Sequence, residues 1–130
     1  MKRSPALIKL SREHHTALSL ALRIERGGDA AALAALQVKV PTIFREELEA
    51  HFQEEERSLL PQLLLAGEAA LVNRTLAEHR QLRQLVDRIA AGDVASLPAF
   101  AEQLRVHVRF EERELFMVAE RVLPASPPHA

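Results

Sequence analysis

Cysteine is absent from this 130-residue chain. Its absence excludes disulfides, thiolate zinc sites and cysteine-held iron–sulfur clusters, and it fits a reducing cytoplasm. Tryptophan and tyrosine are absent too, so no obvious side-chain relay for electrons is present. No G-x-G-x-x-G occurs, which leaves nothing to cradle a flavin or nicotinamide, and any electron donor stays unnamed. No apolar run approaches transmembrane length, so no membrane partner is expected. MKRSPALIKL opens with basic residues, but Ser11, Arg12 and Glu13 cut its apolar run short of a secretory leader. Charge of one sign is also missing. The formal net charge is -1, which argues against a nucleic-acid footprint.

What remains is rich in Ala, Leu, Arg and Glu, the composition of helices. Periodicity and punctuation mark four of them. The first spans about Pro5 to Arg26, with Ser4 as N-cap, Pro5 at the first helical position and Gly27-Gly28 as the stop. The second follows Asp29 and runs through Pro41 to about Leu64, Pro41 either kinking it or starting its second part. The third covers about Glu68 to Ala91. The fourth runs from Val94 or Leu97 to Leu123. Segments this long reach about 30 Å, and short glycine-marked loops make neighbours antiparallel. The expectation is an all-α, up-down-up-down four-helix bundle over residues 1–123, followed by a disordered proline-rich tail, 124–130, in which His129 has no role.

One phrase occurs twice. HFQEEERSLL begins at His51, and HVRFEERELF begins 56 residues later at His107. Both read His-x-x-x-Glu-Glu-Arg-x-Leu. At about 100° per residue, His14 sits near the centre of the apolar face of helix 1, among Leu7, Leu10, Ala17, Leu18, Ala21, Leu22 and Ile24. His15 sits at its edge. His79 shares a face with Val72, Leu76, Leu82, Val86 and Ile89. His51 and Glu55 lie among Phe44, Leu48, Phe52 and Leu59. His107 and Glu111 are bracketed by Phe100, Leu104, Leu115, Val118 and Val122. Each helix thus turns one histidine inward near mid-length, and two also turn in a glutamate.

A lone inward histidine is ordinarily a satisfied core residue, and a run such as EEER is ordinarily a solvated face. Glu54, Glu56, Glu112 and Arg113 read that way, while Glu114 lies nearer the inward side. Four histidines and two carboxylates at one level are different. Such a set is costly to bury without a counter-charge. A metal supplies that charge, and nitrogen plus carboxylate oxygen without sulfur suits iron, manganese or zinc. Six donors exceed one tetrahedral zinc and match two ions roughly 3.5–4 Å apart with carboxylates between them. Residues i and i+4 stack on one helix face, so His-x-x-x-Glu delivers both donor types.

LSREHHTAL, HFQEEERSLLP, LAEHRQL and HVRFEERELF together resemble the hemerythrin-like, or HHE cation-binding, domain. The resemblance covers the chain except its tail. It implies a four-helix bundle around a non-haem, oxo- or hydroxo-bridged di-iron centre with ligands His14, His51, Glu55, His79, His107 and Glu111, and His15 as alternative or addition to His14. Glu55 and Glu111 would bridge. Two features depart from the pattern. Thr75 and Arg83 stand four residues either side of His79, so the His-x-x-x-His pair of oxygen-carrying hemerythrins is missing, and one metal has an open position unless His15 or Glu114 fills it. Met117 replaces a proline.

The leading expectation is a cytoplasmic metal-binding protein that binds or senses O2, peroxide or nitric oxide, or handles iron, with two Fe as cofactor and Zn or Mn as alternatives. No catalytic residue beyond the ligands is implied. A peroxide or nitric oxide reductase, or an iron–sulfur repair factor, is the second reading. A structural metal-binding or interaction bundle is the third. The apolar outer face of AAALAALQVKV offers a candidate homodimer surface.

Overall fold

The computed structural model describes residues 4–124. All of the expected tail beyond Pro124, His129 included, lies outside the described residues. Four helices make up most of the described residues: α1 (Pro5–Arg26), α2 (30–65), α3 (Ala69–Ala90) and α4 (96–122). Among the described residues there is no strand, and the molecule is an all-α four-helix bundle.

Local chemistry sets the helix ends. The Ser4 hydroxyl accepts a hydrogen bond from the Leu7 N–H at 3.3 Å, and the Asp29 carboxylate accepts from the Ala32 N–H at 2.9 Å. Each satisfies a donor that the first turn leaves free. Between α1 and α2 the chain reverses at Gly27 and Gly28. Gly28 has φ 139°, and a Cβ there would stand 2.7 Å from the Ala32 Cβ, so only glycine fits.

Helix α2 does not stop at Pro41. Its first α segment, Ala30–Ile43, contains the proline, and a wider π turn comes next at Phe44–Leu48. Glu49–Glu54 is α-helical again, a second π turn occupies Glu55–Leu59, and Leu60–Leu65 ends the helix. Helix α4 repeats the device: Ser96–Phe110 is α-helical, Glu111–Leu115 is a π turn and Phe116–Val122 completes it. The proline therefore lies within one helix and does not begin another.

A π turn adds one residue to the helical count and rotates everything beyond it. This corrects the inward face read for the end of the fourth helix. On an α wheel Val118 and Val122 fall inside. After the Glu111–Leu115 turn, Phe116 and Ala119 are buried instead, Val118 is half-buried and Val122 is 39% exposed. On α1, Leu18 and Leu22 also lie outward, because the buried stripe runs through His14, Ala17, Leu20, Ala21 and Ile24. Val38 is 64% exposed on the outer face of α2, beside exposed Ala31, Ala34 and Ala35.

The apolar core is divided in two. One cluster joins Ala17–Ile24 of α1 to Leu36–Phe52, Leu82–Ile89 and Leu97–Val108. The other joins Leu7 and Leu10 to Leu59–Leu63, Val72 and Phe110–Ala119. Helix α1 passes from the second cluster to the first, α2 from the first to the second, α3 back, and α4 back again. Where each helix crosses from one cluster to the other, buried polar side chains stand among the apolar ones.

Candidate metal centre

That crossing layer contains His14, His51, Glu55, His79, His107 and Glu111, each no more than 5% exposed. The α turn from His51 to Glu55, and its counterpart from His107 to Glu111, stack imidazole over carboxylate on one face. A π turn begins at each of those glutamates. Helices α1 and α3 supply one imidazole each. The atoms fall into two overlapping sets, His14, His51, Glu55 and Glu111, and Glu55, His79, His107 and Glu111. Within each set the donor atoms all lie within 4.8 Å of one another. The two carboxylates belong to both.

The Nε2 atoms point inward. His14 Nε2 is 2.7 Å from Glu111 Oε1 and His79 Nε2 is 3.0 Å from Glu55 Oε1. His51 Nε2 lies 3.1 Å from Glu55 Oε2, and His107 Nε2 lies 3.1 Å from Glu111 Oε2. These last contacts lack hydrogen-bond geometry. His51 Nε2, Glu55 Oε2, His107 Nε2 and Glu111 Oε2 are buried without a hydrogen-bond partner. Orphaned atoms of this kind each cost about 1–3 kcal/mol, more when charged. Spread over both donor sets, these four are imidazole nitrogens and carboxylate oxygens that a cation would satisfy on displacing any imidazole Nε2 proton, so the residues present fit a metal.

The Nδ1 atoms point outward, each to a glutamate on another helix. His14 Nδ1 donates to Glu112 at 2.7 Å, and His51 Nδ1 to Glu13 at 3.0 Å. His79 Nδ1 donates to Glu56 at 2.6 Å, and His107 Nδ1 to Glu78 at 2.7 Å. An ionised carboxylate only accepts, so the proton sits on Nδ1. Behind the glutamates stand further partners. Lys9 lies 3.2 Å from Glu13, Arg74 lies 3.0 Å from Glu78, and Arg83 lies 2.7 Å from Glu56. The Ser11 hydroxyl donates to Glu112 at 2.7 Å. Two rings are also held by stacking, His79 on Phe52 at 4.1 Å between centroids and His14 on Phe116 at 5.4 Å.

This packing sets the electrostatics of the buried side chains. Burial disfavours the His51 imidazolium, but Glu111 and Glu55 outweigh it and raise the group to about 11. His107 is likewise lowered by burial yet raised on balance to about 10, chiefly by the Glu111 charge. Burial and then the Glu111 charge push Glu55 up. Glu111 is held well below the usual carboxylate range, because His107, His14 and His51 overcome its burial. Among the outer carboxylates, Glu13, Glu56 and Glu78 are lowered despite partial burial, through His51 and Lys9, Arg83 and His79, and His107 and Arg74 respectively.

The structure brings all six inward residues together and leaves His15 out. His15 is exposed and lines a shallow surface hollow with Thr16 and Glu47. Glu114 is not inward either: its side chain is 54% exposed and lies 3.5 Å from Arg74. Glu56 and Glu112, read from the sequence as solvated, instead accept from His79 and His14. Glu13 and Glu78 do not stand out in the sequence. The signal for all four is the repeated pairing itself, Glu-His on two helices and His-x-x-x-Glu-Glu on the other two.

Residues 6–119 match the family model for the hemerythrin HHE cation-binding domain. The chain belongs to that family, and membership implies that it binds metal. No curated protein and no solved structure matches it.

Proposed function

We propose that His14, His51, Glu55, His79, His107 and Glu111 hold two metal ions, iron in the first place. His14 and His51 would hold one ion and His79 and His107 the other, with Glu55 and Glu111 in reach of both. The observation that carries this reading is the pair of overlapping donor sets joined at Glu55 and Glu111. A metal pair there supplies a site at which a small molecule such as O2, peroxide or nitric oxide can be bound and exchange electrons. The chain's own residues hold the imidazoles in orientation and keep bulk water out with an apolar cluster on either side.

Four donors per ion fill a tetrahedral zinc but leave iron or manganese with positions to spare. Nothing from α3 adds a fifth imidazole. Thr75 is fully buried and its hydroxyl donates to the Leu71 carbonyl at 2.8 Å, while Arg83 turns outward to Glu49 and Glu56. This favours binding, sensing or processing of an added ligand. A structural zinc bundle is the second reading, supported by the same count of four. Absorption spectra of iron-loaded protein, recorded without oxygen and then in air, separate the two. A near-ultraviolet and visible band that changes on exposure supports the first reading, and an unchanged spectrum rejects it.

A further inference from the structure

The four outer glutamates form a closed circuit. Glu13 of α1 accepts from His51 of α2, Glu56 of α2 from His79 of α3, Glu78 of α3 from His107 of α4, and Glu112 of α4 from His14 of α1. Every helix gives one imidazole to the layer and one carboxylate to a neighbour's imidazole. Sequence adjacency is misleading here. Glu13 adjoins His14 yet serves His51, and Glu78 adjoins His79 yet serves His107. The circuit also divides along the two donor sets. Glu13 and Glu112 serve His51 and His14 of one set, and Glu56 and Glu78 serve His79 and His107 of the other.

We propose that Glu13, Glu56, Glu78 and Glu112 are positioning residues, each setting the ring orientation and tautomer of the histidine on the next helix, and that each pair governs one metal position. The proposal rests on the metal reading above. Its physical basis is that a ligating imidazole presents Nε2 only while Nδ1 keeps its proton and the ring its angle, and a fixed carboxylate enforces both. The side chains are only 13–34% exposed, so water competes weakly for these bonds. Lys9, Arg74 and Arg83 in turn pin three of the carboxylates. Loss of a partner of this kind weakens metal binding about 10- to 100-fold.

The experiment uses the full chain and single variants Glu13→Gln, Glu56→Gln, Glu78→Gln and Glu112→Gln. Histidine side-chain NMR of the metal-free protein reads the circuit without any metal. Glu13→Gln is expected to move the Nδ1–H resonance of His51 and leave that of His14, and Glu78→Gln to move His107 and leave His79. A shift confined to the sequence neighbour, or none, overturns the circuit. Titration with zinc(II) then reads the division. Glu13→Gln and Glu112→Gln are expected to weaken, by tenfold or more, the equivalent that perturbs His14 and His51. Glu56→Gln and Glu78→Gln are expected to weaken the one that perturbs His79 and His107. Equal weakening of both equivalents by all four variants overturns the division. A wild-type chain that takes up neither zinc(II) nor iron(II) overturns the metal half along with the reading it rests on, while the Nδ1 shifts still decide the circuit. Glutamine keeps size and an acceptor oxygen, and circular dichroism of each variant confirms the fold. Should one variant lose helicity, its partner in the same pair gives the same answer.

Discussion

Glu55 and Glu111 are completely buried, and an ionised carboxylate in a dry interior costs several kcal/mol unless something compensates it. The surrounding histidines compensate part of that, and two cations would compensate the whole. Removing one member leaves the others unpaired. His107→Ala or Glu111→Ala is therefore expected to lose at least one metal and to lower stability by about 3–5 kcal/mol, measured by metal analysis and denaturant unfolding. The first helix gives a sharper contrast. His14→Ala is expected to reduce metal content and His15→Ala to leave it intact, because only His14 is buried in the layer. Retention of two metals by His14→Ala together with loss in His15→Ala would reverse that assignment. At this scale the sequence shows its inward residues well, since a helical wheel separates His14 from His15 by about 100°. The outer glutamates are less legible. A wheel describes one helix at a time, and Glu56 looks solvated until α3 is placed beside it.

The elements are readable where they are regular. Ser4, Pro5, Asp29 and the glycines mark the turns, and the observed bounds of α1 coincide with the expected ones. The π turns leave no such mark. EERSL and EEREL contain neither glycine nor proline and read as ordinary helix. Their effect shows only further along α4, where Phe116 and Ala119 take the inward places that Val118 and Val122 would hold. Deleting exposed Arg113 would return that stretch to α register and rotate residues 116–122 by about 100°. We expect the deletion to unpack Phe116 and cost roughly 3 kcal/mol or more, whereas Arg113→Ala should stay within about 0.5 kcal/mol. Thermal unfolding of the two proteins side by side decides it, and equal melting temperatures would mean that the π turn does not set the register. Gly28→Ala belongs to the same scale. With φ at 139° and Ala32 2.7 Å from the added Cβ, it is expected to destabilise by more than about 1 kcal/mol.

For the whole molecule, the polar layer lies between two apolar clusters, and every helix crosses it. Metal bound there ties all four helices at one level and stabilises by mass action, about 2.7 kcal/mol at a free metal concentration 100 times Kd. The clusters are continuous on either side without it. A strong chelator should therefore lower the melting temperature while leaving the far-ultraviolet helical signal at room temperature, and complete loss of helix on chelation would show that the clusters alone do not hold the fold. Among the described residues no helix is long and apolar enough to cross a membrane. The proposed two-metal centre is tested most directly by its stoichiometry. The most direct measurement is metal content per chain, by mass spectrometry or elemental analysis, on protein from iron-supplemented cells alongside Glu111→Ala. Two ions per wild-type chain and fewer in the variant are the expected result. One ion or none in the wild type, or two in both proteins, would contradict it.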